Sequence, residues 1–315
     1  MMNTHCRPGP LRHALTLGLA VCAWLASAMS AVSVASAQGL PETDTLSRIK
    51  QRGYITVGYR EASVPFSFQG ADGQVMGYSH DLAMRVVDAV RREINEPLLV
   101  LRLQSITSQD RIARIRSGDV DLECGSTTHN TLRARQVGFS NTLFIIGTRL
   151  LTARDSGIHD FPDLAGRTVV TTSGTTSERL LHRLNQERLL GVDIVTAQDH
   201  DASFLILQQG HADAFMMDDA LLYGKIAGSG DPARWRVTGM PRSFEAYACM
   251  LPHGDSAFKR LVDRTLTQVM TSGEAERLYR KWFMSPLPGS DLNLNFPLSD
   301  TMRALYQAPN DKPFQ

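Results

Sequence analysis

From residue 44 onward the chain alternates between short apolar, β-branched runs and longer segments in which apolar positions recur every third or fourth residue. Residues 46–52 read as a short helix that Thr43 or Asp44 can cap and Gly53 ends. Residues 54–58 read as a strand. Leu82, Val86, Val90 and Ile94 repeat at i+4 and predict an amphipathic helix capped by Ser79. A strand over 99–103 follows, then a helix opened by Ser108, with Ile112 and Ile115 turned inward and Gly118 at its end, then a strand over 121–125. The rhythm restarts with strands over 168–172, 192–196 and 214–217, alternating with helices over 175–190, 202–209 and 219–227.

Strands separated by helices of this length imply parallel sheets in an α/β architecture, and two such series imply two lobes. Residues 142–152 and 244–251 are β-rich and predict a two-strand hinge. The expected lobes are 41–147 plus 247–315, and 148–246, with helices over 256–271 and 274–283 returning to the first. After Pro286 the pattern is too irregular to place.

The first 37 residues read differently. Arg7, Arg12 and His13 precede an apolar run from Ala14 to about Ala28, and small residues end at Ala35-Ser36-Ala37. A basic start, an apolar core and an A-x-A site together predict a cleaved secretory signal. The run is shorter than the ~20 residues a bilayer needs, and Val21 before Cys22 does not suit lipoprotein cleavage. Loss of two arginines takes the formal charge from +1 to −1. Near-neutral balance with 21% charged residues argues against disorder and against a nucleic-acid partner. The expected product is a periplasmic monomer.

Cys6 and Cys22 leave with the signal, so Cys124 and Cys249 remain. In an oxidising compartment they can pair, closing a loop of about 125 residues worth about 4–5 kcal/mol on the chain-entropy model; two buried free thiols are the alternative. Enzyme signatures are missing: the chain has no G-x-G-x-x-G, Walker loop, H-E-x-x-H or G-x-S-x-G. Two S-x-x-K matches, at Ser47 and Ser256, lie in surface-type helical patterns without the companion motifs. The histidines show no ligand spacing, so no metal and no cofactor is expected.

In open α/β sheets, ligands bind outside the carboxyl ends of strands. Those positions hold Arg60, Ser108 and Arg111, Ser126 and Thr128 with Arg133 on the next turn, Thr175 and Thr176 at a helix start, His200, and Asp218. Arginine forks grip carboxylates, helix starts suit anions, and a lone aspartate suits an ammonium. Three arginines and one aspartate sum to +2, which fits a small ligand with two carboxylates and one ammonium. Each residue also has a plainer explanation: strand-end arginines as solvated charges, and Asp218, Thr175 and Thr176 as helix caps.

The stretches 58–67, 106–112, 123–128, 147–152, 172–178, 215–221 and 271–276 resemble the family-3 solute-binding proteins of bacterial ABC importers. In detail they are similar to the periplasmic glutamate/aspartate-binding proteins, over about residues 41 to 312. The resemblance implies a two-lobed periplasmic-binding-protein fold of type II that closes on L-glutamate or L-aspartate and delivers it to a membrane permease. It implies that Arg133, Thr128 and the helix start at Thr175 and Thr176 hold the α-carboxylate. Asp218, helped by Ser126, would hold the ammonium, and Arg60, Ser108, Arg111 and His200 the side-chain carboxylate. Tyr59 stands where some relatives carry histidine. Two other readings of the same scaffold are an exported dehydratase-like enzyme, which would need a general acid in the cleft, and a purely sensory amino-acid-binding component.

Overall fold

The computed structural model describes residues 44–288 and 293–313; the signal-like segment and its cleavage site lie outside them. In chain order the elements are α1 (Thr45–Arg52), β1 (Tyr54–Tyr59), β2 (Ala62–Ser63), β3 (Ser67–Gln69), β4 (Val75–Met76), α2 (Tyr78–Glu93), β5 (Val100–Ser105), α3 (Arg111–Ser117), β6 (Leu122–Glu123), α4 (Thr131–Ala134) and β7 (Gly138–Ala153). They continue with β8 (Thr168–Thr172), α5 (Thr176–Arg188), β9 (Asp193–Ala197), α6 (His200–Gln208), β10 (Ala214–Asp218), α7 (Asp219–Ala227), β11 (Trp235–Thr238), β12 (Phe244–Leu251), α8 (Ser256–Thr271), α9 (Glu274–Phe283) and α10 (Asp300–Gln307).

Nine strands form one mixed sheet in the order β5-β1-β6-β12-β7-β10-β8-β9, with β11 also on β7. The pairs β5–β1, β1–β6, β10–β8 and β8–β9 are parallel, as the alternation of strands and helices predicts. Every antiparallel pair of this sheet involves β7 or β12. β7 is a single 16-residue strand. It pairs with β12 from Gly138 to Gly147, then takes β10 as its partner from Thr148 to Thr152. The sheet therefore has two parallel halves joined through β7.

Local chemistry explains most element ends. Asp44 caps α1 by accepting from the Ser47 N–H at 3.0 Å, and Gly53 closes that helix at φ 74°; Thr43, the other expected cap, lies outside the described residues. Ser79 does not cap α2. That helix starts one residue earlier behind Gly77 at φ 133°, where a β-carbon would lie 2.3 Å from the Phe66 carbonyl oxygen, and the Ser79 hydroxyl instead donates to the Gly125 carbonyl at 2.9 Å. Ser108 likewise lies one short turn ahead of its expected helix, which begins behind Asp110.

The aromatic rings of Phe66, Tyr78, Phe144, Tyr279 and Phe283 pack face-to-edge and face-to-face, holding α9 against α2 and the first part of β7. The chain after Pro286 ends in α10, capped by Ser299, whose Tyr306 hydroxyl meets that of Tyr78 at 2.8 Å. Cys124 and Cys249 form a disulfide with Cα atoms 4.2 Å apart, linking the chain just after β6 to β12.

Candidate functional site

The segment after β5, the ends of β6, β8 and β10 and the starts of α3, α5 and α6 meet around a small, tightly closed cavity. Ser108, Arg111, Ser126, Thr128, Thr175, Thr176, His200 and Asp218 line it, together with the apolar Met217 and Leu221. Eight of the ten residues expected from the sequence thus share one space. Arg60 and Arg133 are buried but not among the residues lining this cavity.

Asp218 precedes α7 but makes no side-chain cap bond to it. Its Oδ1 accepts from the Thr148 hydroxyl at 2.8 Å and the Ser177 hydroxyl at 3.2 Å, and its Oδ2 from the Tyr247 hydroxyl at 2.5 Å. The simple capping alternative therefore does not describe it. Burial, and then the negative charge of Glu245, push its pKa up to about 7 against the pull of the Tyr247 and Thr148 bonds. Thr175, in contrast, is a working cap: its hydroxyl accepts from the Glu178 N–H at 3.1 Å and donates to the Thr172 carbonyl at 2.6 Å. Thr176 keeps its hydroxyl near that of Thr128, at 3.3 Å.

The arginines are fixed in different ways. Arg133 donates to the carbonyls of Thr128 at 3.0 Å and Gly174 at 3.2 Å, so its guanidinium joins the two halves of the fold. Arg111 donates to the Thr127 hydroxyl at 2.6 Å, while its Nε is buried without a partner. Nη1 of Arg60 is buried and unpartnered as well. Burial, then the neighbouring Arg111, lower the Arg60 pKa to about 10, still protonated at neutral pH. His200 meets the Thr172 hydroxyl through Nδ1 at 2.8 Å and leaves Nε2 buried and free. Burial, then the charge of Arg60, drive its pKa well below the ordinary value, so the ring is neutral. The Ser203 hydroxyl donates to the Asp199 carbonyl at 2.8 Å, so the Thr172 hydroxyl donates to Ser203 and accepts from Nδ1–H; Nε2 of the neutral ring is then an acceptor. The Ser108 hydroxyl is also buried and unpartnered.

Buried polar groups without partners are rare in folded proteins. Here Arg60, Ser108, Arg111 and His200 each present one; the two arginines and the serine have donors to give, and His200 Nε2 offers a lone pair to a donor such as the ligand's ammonium or a hydroxyl. With Asp218 opposite, the chamber can hold carboxylates against its donors and an ammonium against its acid. Among the described residues no cluster of three or more His, Cys, Asp or Glu side chains could hold a metal ion.

The sequence reading missed the supporting residues. Thr148, Ser177 and Tyr247 hold Asp218, and Thr172 holds His200. It also passed over Glu123, wholly buried on β6, whose Oε2 accepts from the Thr127 hydroxyl at 2.8 Å. A signal was present: an acid inside an apolar strand needs a cationic partner. Counting Glu123 as an anion lowers the formal charge of the site from +2 to +1.

Residues 55–285 match the model of the bacterial extracellular solute-binding proteins, family 3. The L-glutamate/L-aspartate-binding protein of Pseudomonas aeruginosa is 51% identical over 271 residues, covering 86% of this chain and 90% of the relative. The glutamate/aspartate import solute-binding protein of Escherichia coli is 49% identical over 296 residues, covering 94% and 96%. In three dimensions, a mutant of ArgBP from T. maritima superposes with a TM-score of 0.68 at 25% identity, covering 76% of this chain and 99% of that one. A Streptococcus pneumoniae ABC uptake substrate-binding protein with bound histidine gives 0.67 at 20% identity, covering 79% and 98%. A family match across most of the described residues, and relatives near half identity along almost their whole length, make the same assignment as the strand-end site: the chain belongs to the family-3 bacterial extracellular solute-binding proteins.

Proposed function

We propose that the protein captures L-glutamate or L-aspartate outside the cytoplasm and delivers it to the permease of an ABC importer. The observation that carries this reading is the set of unpartnered buried polar atoms on Ser108, Arg111 and His200 around one chamber with the Asp218 carboxylate, reinforced by the buried positive charge of Arg60 acting on Arg111 and His200. The names of the relatives in Pseudomonas, Salmonella and Escherichia support the same ligand and the same import role. Arg133, Thr128 and the helix start at Thr175 and Thr176 take the α-carboxylate; Asp218, helped by Ser126, takes the ammonium; Arg60, Ser108 and Arg111 take the side-chain carboxylate, and the His200 Nε2 lone pair is left for a donor. Residues 1–37 act as an export signal, and the mature chain works in the periplasm as a monomer.

Residues 41–147 with 247–315 form one lobe and 148–246 the other, and the ligand favours the closed posture by touching both. Calorimetric titration of the mature protein, freed of co-purified ligand, with a panel of amino acids tests the reading. Micromolar binding of the acidic pair, about −8 kcal/mol, is expected; preference for glutamine or arginine would overturn it.

Closure explains an unusually tight approach of backbone to backbone. A β-carbon on Gly224, inside α7, would lie 2.4 Å from the Val64 carbonyl oxygen across the cleft. The φ of Gly224 is outside the left-handed region, so the helix backbone accepts alanine and gains about 1 kcal/mol from it, but the new methyl overlaps the Val64 carbonyl and forces that contact apart. Gly224→Ala is expected to change thermal stability by no more than about 2 kcal/mol, helix propensity offsetting part of an overpacking cost of about 1–3 kcal/mol, while weakening glutamate binding by roughly tenfold. Thermal unfolding and calorimetry on one preparation separate the two effects; parent-like affinity would remove Gly224 from the closing contact.

Asp218 gives the binding a pH dependence. An ammonium needs its ionised form, whereas the buried carboxyl of the unliganded protein holds its proton up to about pH 7. Affinity is therefore full above about 7 and falls as pH drops through that value, by up to about tenfold per unit. For the unliganded fold the sign is opposite. Between 3.8 and about 7 the folded protein binds this proton more tightly than the unfolded chain, so the group's contribution to stability declines as pH rises through that window. Calorimetry from pH 5.5 to 8, alongside Asp218→Asn, reads the first effect; a flat profile in the parent would contradict it.

A further inference from the structure

Glu123 has no part in the contacts assigned above, yet it is one of the most deeply buried charges in the molecule. The Thr127 hydroxyl that donates to its Oε2 also accepts from Arg111 Nη1, so one oxygen joins the carboxylate to that guanidinium. Oε1 is buried without a hydrogen-bond partner, as is Nη1 of Arg60. Gly125 leaves the space both groups occupy: a β-carbon there would stand 2.5 Å from Glu123 Oε1 and 3.2 Å from Arg60 Cγ. Arg111 and Arg60 are the leading positive charges acting on Glu123, and Glu123 is the leading negative charge acting on each of them. Asp199, half-buried at the start of α6, acts on Arg60 more weakly, and its nearness to solvent screens it. Burial raises the Glu123 pKa, opposed by Arg111, the Thr127 bond and Arg60.

We propose that Glu123 is a built-in counter-anion that reduces the Arg60–Arg111 corner from two positive charges to one, and so selects ligands whose side chain carries one negative charge over those carrying two. This rests on the reading of Arg60 and Arg111 as the corner for the ligand's side-chain carboxylate. A carboxylate or sulfonate neutralises such a corner. A phosphonate or phosphate leaves a surplus negative charge buried beside Glu123, and like-charge juxtaposition in a desolvated site is costly. The selection acts through charge, so it applies equally to ligands of the same shape.

The test uses L-cysteate and L-2-amino-3-phosphonopropionate, near-isosteres of aspartate that differ by one charge in alkaline buffer. The parent protein is expected to bind cysteate at least about tenfold more tightly than the phosphonate. Glu123→Gln, which keeps the shape of the side chain, is expected to move that ratio toward the phosphonate by at least about tenfold, and Glu123→Asp to keep the parent's preference. Equal binding of the two analogues by the parent overturns the proposal whether or not the variants fold. An unchanged ratio in Glu123→Gln also overturns it, as does failure of the parent to bind cysteate while it binds aspartate. A parent titration with glutamate and aspartate separates the two readings. If neither binds, the proposed function falls; if they bind and the ratio does not respond, only the role of Glu123 falls.

Discussion

Arg111→Ala is expected to weaken glutamate binding by about 2–5 kcal/mol, roughly thirtyfold to several thousandfold in Kd. Arg111 is buried on the first turn of α3, lines the cavity and presents an unpartnered Nε to it. Its Nη1 is already committed to the Thr127 hydroxyl, which fixes the guanidinium plane before any ligand arrives. Removing it leaves the ligand's side-chain carboxylate with less positive charge in a desolvated chamber, where the penalty of an uncompensated charge is high. It also leaves Glu123 beside Arg60 alone. Arg60→Ala is expected to fall in the same range for the same reason. Calorimetry on the purified variants, with circular dichroism to confirm folding, measures both. A folded Arg111→Ala protein with the parent's affinity for glutamate would show that this corner does not hold the ligand.

Breaking the Cys124–Cys249 disulfide is expected to lower unfolding stability by about 4–5 kcal/mol, the chain-entropy value for a closed loop of 125 residues. That corresponds to roughly 7–9 °C in Tm for a protein of this size. The location argues for the upper part of the usual range. β6 is only two residues long and meets β12 in a single antiparallel pair, Glu123 with Met250, with one further bridge beyond the cross-link at Thr128 and Tyr247. The cross-link immediately follows Glu123 in sequence and anchors the strand end from which Ser126 and Thr128 reach the cavity. Denaturant unfolding of Cys124→Ser/Cys249→Ser, and of the parent with and without reductant, reads the effect. Coincident curves would show that the unfolded chain is already restrained without the bond.

The parallel halves of the sheet were legible because period-2 and period-3.6 patterns alternate cleanly there, and the strand-end rule then located the chamber. β2, β3 and β4 were not legible, since two or three residues are too few to establish a period. The length of β7 was understated because its edges, from Gly138 and to Ala153, carry the same mixed composition as a loop. α10 had a readable signature that was passed over: Ser299 as cap, with Met302, Leu305 and Tyr306 on one buried face. Among site residues, those with charge at a strand end announced themselves. Thr148, Thr172, Ser177 and Tyr247 did not, because a hydroxyl that orients another side chain looks in sequence like any strand or helix residue. Glu123 was obscured by its setting, read as one more position of an apolar strand rather than as an acid in need of cations.

The exchange of partners along β7 has a consequence for the order of events at the chamber. Asp218 pairs in register with Thr148, the first residue beyond the exchange, and takes a bond from the Thr148 hydroxyl and another from Tyr247 on β12. If the two proposed lobes part about these strands, the acid, held from both β7 and β12, would shift little. The backbone N–H of Arg60 is anchored to Ser67 in one half of the sheet and His200 to Thr172 in the other, so on the proposed opening these two would separate. An arriving amino acid would then moor by its amine first, with its acidic tail examined only as the jaws meet.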